Sequence, residues 1–384
     1  MSLIISPPGP LTLIYKTVSN VPIKLDVYPP TAGTEVTNQS SEISAVLWFH
    51  GGGLAMGNRT NFFPKWLQTR VNDAGIAFIS VDYRLIPSRS VTAHQVVEDV
   101  QDAFAFVRGT SFSSALDSLA SGGKLPFTKF RIDPRSVAAA GSSAGGTCAY
   151  FAAMHVQPKP AALLPIFAMA GDFLTPHYLE PKDKPFLTGK PLFDPSRSKD
   201  YLYPFSPSVA SEIVSDSPVA FNPPAGPGLP PLPANPRMPL GLLYLQLGTT
   251  LDYYTGEHEP SLSQSLREAN AADYPTPQAR KQKLRELIPQ KHHAIFPEFG
   301  VDSSWPPTLL IHGSADTSAP VAESQEMYQA LQNAGVLSRI KIVEGAGHLF
   351  DLVPEADKIH EEPFDDAAEF LKTVLGQSLA LSFT

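Results

Sequence analysis

A stretch of small residues at positions 137–150 constrains the fold more strongly than any other part of the sequence. It begins as an apolar run, passes through Gly-Ser-Ser-Ala-Gly and continues with further small residues. Gly141, Ser143 and Gly145 have the G-x-S-x-G spacing of a nucleophile elbow, a sharp turn between a strand and a helix. The serine on such a turn has strained backbone geometry, so the residues two positions away must be small for the strand and helix to cross closely. The spacing therefore predicts a strand, a tight turn and a helix, with the Ser143 hydroxyl above the end of a sheet.

Buried-strand patterns alternate with helical patterns along most of the chain. Continuous apolar runs predict strands at residues 45–49, 76–82, 161–171, 308–313 and 340–344. Apolar positions at helical spacing predict helices at residues 62–72, 91–107, 321–334 and 365–375. Residues 11–29 predict an opening antiparallel hairpin. This alternation predicts an α/β fold with a mostly parallel central sheet flanked by helices.

The character of the sequence changes between residues 172 and 305, where proline becomes dense. An irregular loop of that length inside a compact core is improbable, so we predict an inserted cap between the sixth and seventh strands. Helical patterns occur in it at residues 241–254 and 278–287, and the first is so apolar that it either lines a pocket or packs the cap. The predicted organisation is a core of residues 1–171 and 306–384 interrupted by a cap of residues 172–305.

Polar or glycine-rich sequence follows four of the predicted strands. Active groups in such sheets lie on loops at the carboxyl ends of strands. These ends carry His50-Gly-Gly-Gly, Ser143, Asp316 and His348. Ser143, Asp316 and His348 follow one another in the order of a triad on an α/β-hydrolase sheet.

Five motifs together resemble the hormone-sensitive-lipase-like esterases, the α/β-hydrolase fold-3 group. They lie at residues 50–53, 81–85, 141–146, 312–316 and 345–348. The resemblance covers nearly all of residues 45–375 apart from the cap, and the His-Gly-Gly-Gly stretch is its most specific part. Two features depart from the family: Ser142 stands where aspartate is common, and the long N-terminal cap helices are missing. The resemblance implies the α/β-hydrolase fold and the catalytic class, and leaves the cap and the substrate open.

The residue types suit acyl transfer through a nucleophilic serine. The hydroxyl of Ser143 attacks efficiently only if a base removes its proton, and His348 can take that proton and return it to the leaving group. Asp316 would hold the other imidazole nitrogen and stabilise the imidazolium. The backbone N–H groups expected to stabilise the oxyanion are those of Gly52, Gly53 and Ala144.

Other residues compete for these roles. Ser142 is the rival nucleophile, but its register points it away from the tip of the elbow. Asp302 precedes a strand rather than following one, and Glu323 is expected on a solvated helix face. Among the histidines, His312 is expected to be a hydrogen-bonded core residue, His292 and His293 to lie on the cap surface, and His50 to support the glycine loop. Asp82, Tyr83 and Arg84 are expected to brace the pocket wall from behind.

Composition excludes several classes of partner. A formal charge of −8 without a basic block argues against nucleic acid and anionic membranes. The single cysteine, Cys148, excludes an intrachain disulfide and is expected to be buried. No signal peptide or spanning segment is recognised, which predicts a cytoplasmic protein. No metal-ligand spacing, phosphate loop or dinucleotide fingerprint occurs, so neither metal nor cofactor is expected.

The hypothesis favoured by the sequence is a cofactor-independent serine carboxylesterase that acts on small or medium acyl esters. A peptidase or amidase is the second enzymatic hypothesis, because residues 312–317 with Glu323-Ser324 also resemble the acid loop of prolyl-oligopeptidase-like enzymes. Lactone opening and acyl transfer use the same groups. A non-catalytic small-molecule receptor is a further hypothesis, because the gibberellin receptors resemble members of this group that have lost their activity. It is disfavoured because a receptor would be expected to lose the base, and His348 is present.

Overall fold

Ten strands occur in the computed structural model, which describes residues 9–31, 42–123, 129–224 and 232–380. Eight of them form one sheet: β1 (Leu11–Val18), β2 (Val21–Tyr28), β3 (Glu42–Phe49), β4 (Ala77–Val81), β5 (Arg131–Ser142), β6 (Leu163–Ile166), β9 (Thr308–Gly313) and β10 (Ser338–Val343). The other two form a short antiparallel pair: β7 (Phe221–Asn222) and β8 (Leu232–Pro233).

The sheet has the order β1-β2-β4-β3-β5-β6-β9-β10. The first two strands form the opening hairpin, and β2 pairs antiparallel with β4. The remaining neighbours are parallel, as expected for strands whose side chains are buried on both faces. The prediction of a mostly parallel sheet with an opening hairpin is confirmed.

Helices cover both faces of the sheet. Those of the core are α1 (Lys65–Asp73), α2 (Ala93–Arg108), α3 (Thr110–Ser121), α4 (Ala144–His155), α11 (Val321–Asn333), α12 (Ala356–Ile359) and α13 (Glu361–Ala380). Helices α2, α3, α4 and α11 pack into one apolar cluster, and α1 and α13 pack into a second cluster on the opposite face. The sequence patterns did not predict α3, whose buried side chains are only Phe112 and Leu116. No helix among the described residues is long and apolar enough to cross a membrane.

The chain between β6 and β9 forms a cap. Because β7 and β8 are not part of the large sheet, β6 and β9 are its sixth and seventh strands, between which the insertion was predicted. Its helices are α5 (Pro176–Leu179), α6 (Pro207–Ala210), α7 (Leu240–Leu247), α8 (Thr250–Thr255), α9 (Leu262–Asn270) and α10 (Pro277–Leu287). It also contains short 3₁₀ helices at Pro195–Tyr201, Gln290–Ile295 and Pro297–Phe299.

Two predicted elements have the wrong extent. The single helix predicted at 241–254 is broken between α7 and α8 at Gly248, which has a φ of +64° and ends α7 in the left-handed conformation. The strand predicted at 161–171 is limited to Leu163–Ile166, because the next residue, Phe167, leaves the extended conformation with a φ of +35° and the chain then turns past the elbow. Within this turn, the amide of Met169 donates a hydrogen bond to the carbonyl of Ser143 at 3.3 Å.

A buried carboxyl links two segments of the cap beside this turn. Glu298, in the cap, accepts a hydrogen bond at Oε1 from the amide of Phe173 at 3.1 Å. Its Oε2 atom is buried and has no partner among the described residues. Burial raises the pKa of Glu298 to about 8, and the nearby charge of Asp172 adds to the effect.

Glu298 should therefore make the stability of the protein depend on pH. An ordinary glutamate loses its proton near pH 4.5, whereas the folded chain holds this proton until about pH 8. The free energy of unfolding should fall as pH rises through that window, because the unfolded chain releases a proton that the folded chain keeps. Replacing Glu298 with glutamine should reduce the slope, and urea unfolding at intervals from about pH 5 to about pH 9 measures it. An unchanged slope in the variant would contradict the assignment.

Candidate active site

Ser143 occupies the tip of the turn between β5 and α4. Its backbone has φ +54° and ψ −121°, a strained conformation for a residue other than glycine. A Cβ atom added at Gly141 would lie 2.2 Å from the carbonyl oxygen of Gly145, and one added at Gly145 would lie 1.9 Å from that of Phe49. The two glycines are needed for the close crossing, as the G-x-S-x-G spacing predicts.

The three candidate catalytic side chains meet above the carboxyl ends of the strands. Asp316 lies on the loop after β9 and His348 on the loop after β10. The Nε2 atom of His348 is 3.2 Å from the Oγ of Ser143, and its Nδ1 is 2.6 Å from the Oδ2 of Asp316. The edge of the Phe167 ring packs against the imidazole, with centroids 4.9 Å apart. The structure brings together the serine, acid and histidine that the sequence selected from distant positions.

Asp316 is held as an ionised carboxylate. Its Oδ1 accepts hydrogen bonds from the amides of Ser318 at 2.8 Å and Ala319 at 3.0 Å. Burial by itself would raise the pKa of Asp316, but hydrogen bonds from His312 and His348 and the attraction of His348 outweigh it. The pKa therefore lies well below its usual range. A permanent negative charge next to Nδ1 of His348 favours the tautomer that leaves Nε2 free to accept the serine proton.

His312 supports the acid loop. It is fully buried, and its Nε2 is 2.9 Å from the carbonyl oxygen of Ala319 while its Nδ1 is 2.7 Å from the hydroxyl of Ser324. Because a carbonyl can only accept, Nε2 carries the hydrogen, and in the neutral ring Nδ1 accepts from Ser324. The same Nε2 lies 3.4 Å from Oδ2 of Asp316. The prediction of a hydrogen-bonded core histidine is confirmed.

The glycine loop after β3 presents free amides beside the serine. Gly52 and Gly53 have φ values of +109° and +63°, and a Cβ at Gly52 would lie 2.1 Å from the carbonyl oxygen of Met56. The carbonyl of Gly52 accepts from Ala55 and Met56, which closes the turn. The amides of Gly52, Gly53 and Ala144 donate to no acceptor within the part of the chain that the structure describes. This arrangement is suited to an oxyanion.

His50 lies beneath this loop as a structural residue. Its Nδ1 donates to the carbonyl of Gly51 at 2.7 Å, its carbonyl accepts from the Tyr83 hydroxyl at 2.7 Å, and its ring stacks on Tyr83. Burial lowers the pKa of His50 to about 4, although the hydrogen bond to Gly51 opposes this. Behind the loop, Asp82 pairs with Arg59 at 2.8 Å. His50 and Tyr83 therefore support the glycine loop, as the sequence predicted, whereas Arg84 pairs with Asp99 of α2 at 2.8 Å.

Two alternatives considered from the sequence lie in unexpected environments. Glu323 was expected on a solvated face, but it is buried and accepts hydrogen bonds from the Tyr178 hydroxyl at 2.5 Å and the Gly171 amide at 3.2 Å. His292 was expected on the cap surface, but it is buried between His94 at 2.8 Å and Glu257 at 2.9 Å. Both predictions are wrong because the cap folds over α2 and α11.

The remaining alternatives lie apart from the triad. Ser142 is buried at the end of β5, and no described side chain bonds its hydroxyl. Asp302 is exposed and accepts hydrogen bonds from the amide and hydroxyl of Ser304. Nε2 of His293 is 3.0 Å from the carbonyl of Ile288. None of them lies in the hydrogen-bond chain of Ser143.

A cavity of about 400 Å³ lies next to Ser143 and His348. One wall is α7, which contributes Gly241, Leu242, Tyr244 and Leu245. The apolar helix predicted in the cap thus lines a pocket, and it also packs the cap, because Tyr244 stacks on Tyr253 at 3.6 Å. Several lining residues carry no recognisable sequence signal, namely Tyr178, Lys190, Phe221 and Met238.

Two family models match the chain. Residues 46–215 match a family described as alpha/beta hydrolase fold, and residues 250–378 match the prolyl oligopeptidase family. Together with the fold, these matches define the chain as a serine hydrolase of the α/β-hydrolase class. The first match agrees with the resemblance of the sequence motifs to the hormone-sensitive-lipase-like, fold-3 group of that class.

Curated relatives include several fungal enzymes. The chain is 26% identical over 393 residues to the non-reducing polyketide synthase mapC' of Penicillium brevicompactum, covering 96% of this chain and 16% of that protein. It is 28% identical over 381 residues to the non-reducing polyketide synthase pkbA of Emericella nidulans, covering 94% of this chain and 14% of that protein. The chain thus spans only 14–16% of the length of these relatives.

Similar solved structures include esterase 2 of the planctomycete Thermogutta terrifontis. The native enzyme matches with a TM-score of 0.53 and 19% identity, covering 96% of this chain and 94% of that one. Its butyrate-bound form matches with a TM-score of 0.54 and 18% identity, covering 96% and 95%. At this level of identity the likeness shows the shared fold.

Proposed function

We propose that the protein hydrolyses carboxylic esters of small or medium acyl groups through an acyl-enzyme intermediate. The observation that carries the proposal is the hydrogen-bond chain from Ser143 through His348 to Asp316, which opens onto an apolar cavity. Residues 172–305 act as the cap that closes this cavity. A reducing compartment such as the cytoplasm fits the single buried thiol of Cys148.

The mechanism follows from these contacts. The Oγ of Ser143 attacks the ester carbonyl as its proton passes to Nε2 of His348, and the imidazolium that forms is stabilised by Asp316. The carbonyl oxygen gains negative charge and accepts hydrogen bonds from the amides of Gly52, Gly53 and Ala144. Each such donor lowers the barrier by about 3 kcal/mol. His348 then protonates the departing alcohol.

The second half of the reaction uses the same groups in reverse. Water replaces the alcohol and gives a proton to Nε2 of His348 as its oxygen attacks the acyl carbon. The tetrahedral intermediate collapses, His348 returns the proton to Oγ of Ser143, and the carboxylic acid leaves. No metal or cofactor enters this proposal.

Acyl length should control the rate, since the cavity walls are largely apolar. Each methylene buried contributes about 0.8 kcal/mol, so kcat/KM should rise about fourfold per added methylene until the cavity is filled, and then fall. A series of p-nitrophenyl esters from about two to about twelve acyl carbons measures this. The esterase 2 structures described as propionate-bound and butyrate-bound are consistent with small acyl groups. A flat profile would contradict an acyl pocket, and no hydrolysis at any length would contradict the esterase.

Thioester cleavage is the second candidate function. The curated relatives are named as polyketide synthases, and a thioester carbonyl would meet the same serine, base and amides. The prolyl oligopeptidase match adds amides to the comparison, and lactonase and acyltransferase activities use the same triad. Rates for one acyl group carried as an oxygen ester, a thioester and an anilide would rank these activities directly.

A further inference from the structure

The active-site cavity has one permanently charged group in a largely apolar wall. Among the described residues that line it, Lys190 carries the single charge besides the ionisable His348. The other walls are mainly aliphatic and aromatic, and the protein as a whole is negative, with a formal charge of −8. A cation at this place is therefore a local feature and does not reflect a generally basic surface.

The ammonium group of Lys190 is uncommitted. Within the described ranges it forms no ion pair or hydrogen bond. Lys182, on the same cap segment, behaves differently: its Nζ donates to the carbonyls of Pro176 at 3.3 Å and His177 at 2.5 Å. The two lysines thus differ in kind, because one holds the backbone together and the other is available to a ligand.

The backbone around Lys190 is anchored beside the acid loop. Its amide donates to the carbonyl of Leu187 at 3.1 Å, and Gly189 between them has a φ of +71°. The amide of Thr188 lies 3.4 Å from the hydroxyl of Thr317, the residue after Asp316. Lys190 is consequently presented to the cavity by a turn that is anchored beside the acid loop.

A second polar group in the same cavity lacks a partner. The Oγ1 atom of Thr250 is buried and unpaired among the described residues, although the residue lines the cavity. A purely hydrocarbon substrate would leave this hydroxyl unpaired, whereas a substrate that carries additional oxygen atoms could satisfy it. The cavity is thus equipped for more than an alkyl chain.

We propose that Lys190 binds an anionic group of the substrate, a carboxylate or a phosphate, and so makes the protein selective for negatively charged esters. This inference rests on the proposed ester hydrolysis and names its substrate class. Lys190 is a specificity residue, since it would contact the substrate away from the reacting carbonyl. The ammonium is exposed, so the pair would be screened by solvent and should change selectivity by about fivefold.

The test compares matched anionic and neutral esters. On the acyl side, the p-nitrophenyl monoester of glutarate is compared with p-nitrophenyl pentanoate; on the alcohol side, 4-carboxyphenyl butyrate is compared with phenyl butyrate. The readout is the ratio of kcat/KM for the anionic and neutral members. Lys190→Met should lower this ratio about fivefold in at least one pair, and about 1 M salt should remove the difference from the wild type, because the Debye length falls to about 3 Å.

Lys184→Met is the matched control, because Lys184 is an exposed lysine of the same cap segment that does not line the cavity. It changes the net charge equally and should keep the wild-type ratios. The pair that responds tells whether the anion lies on the acyl or the alcohol side. If the neutral esters are hydrolysed but Lys190→Met keeps both ratios, the inference is wrong and ester hydrolysis stands. If the wild type hydrolyses no ester, ester hydrolysis fails and the inference fails with it.

Discussion

Replacing Ser143 with alanine should lower kcat for p-nitrophenyl butyrate by about a millionfold, leaving only the low activity that the rest of the site supports. The reason is chemical: the proposed nucleophile passes its proton to His348 through the 3.2 Å contact between Oγ and Nε2, and alanine has no hydroxyl to do so. Steady-state rates, together with labelling by a fluorophosphonate, measure the effect. The wild type should be labelled at Ser143, and the variant should not be labelled.

Ser142→Ala is the matched control for this experiment. Ser142 is the adjacent hydroxyl and is also buried, but it ends β5 instead of occupying the tip of the turn. This variant should keep its activity and its label, and both variants should unfold at temperatures close to that of the wild type. Loss of activity in Ser142→Ala with retention in Ser143→Ala would reverse the assignment of the nucleophile.

The elbow and the triad could be predicted because their signals are local. Gly141 and Gly145 are recognised by their spacing within five residues, although the close contact of Gly145 is with Phe49 of β3, and Asp316 and His348 each lie within five residues of the end of a strand. Once the strands are parallel, their carboxyl ends lie at one edge, so the distant residues must come close together. The core fold could be predicted on the same basis, since its strands are continuous apolar runs.

The cap could not be predicted in the same detail, because its contacts depend on the path of the chain. Glu323 has the sequence context of an exposed helical acid, yet Tyr178 and Gly171 cover it. His292 similarly becomes buried only when its 3₁₀ helix meets His94 of α2. Lys190 carries no local signal at all, since a lysine in a proline-rich segment is usually solvated. The residues proposed to determine the substrate are therefore those that the sequence alone predicts least well.

The acid position has the second-largest expected effect. Asp316→Asn should lower kcat by about ten-thousandfold while leaving the protein folded. The amide oxygen can still accept from the amides of Ser318 and Ala319, so the amide NH₂ would replace Oδ2 and face Nδ1 of His348. An NH₂ group donates to Nδ1 and forces the hydrogen onto Nε2, where it can no longer accept the proton of Ser143. The expected loss of activity therefore comes from the wrong tautomer of His348 and not from a displacement of the catalytic residues.

The pH dependence of unfolding tests the same carboxylate independently of activity. The depressed pKa of Asp316 means that an unfolded aspartate takes up a proton near pH 3.8 while the folded one stays charged. Its contribution to stability is present above that pH and is lost as pH falls below it, so Asp316→Asn should unfold with a shallower acid limb than the wild type. Asp302→Asn, at an exposed aspartate that the sequence also offered, is the control for activity and should match the wild type in kcat. If Asp316→Asn kept activity within tenfold of the wild type, Asp316 would not be the acid of the triad, and another group would have to orient His348. The neighbouring His312 cannot replace it, because it is hydrogen-bonded to Ala319 and Ser324 and cannot supply a negative charge.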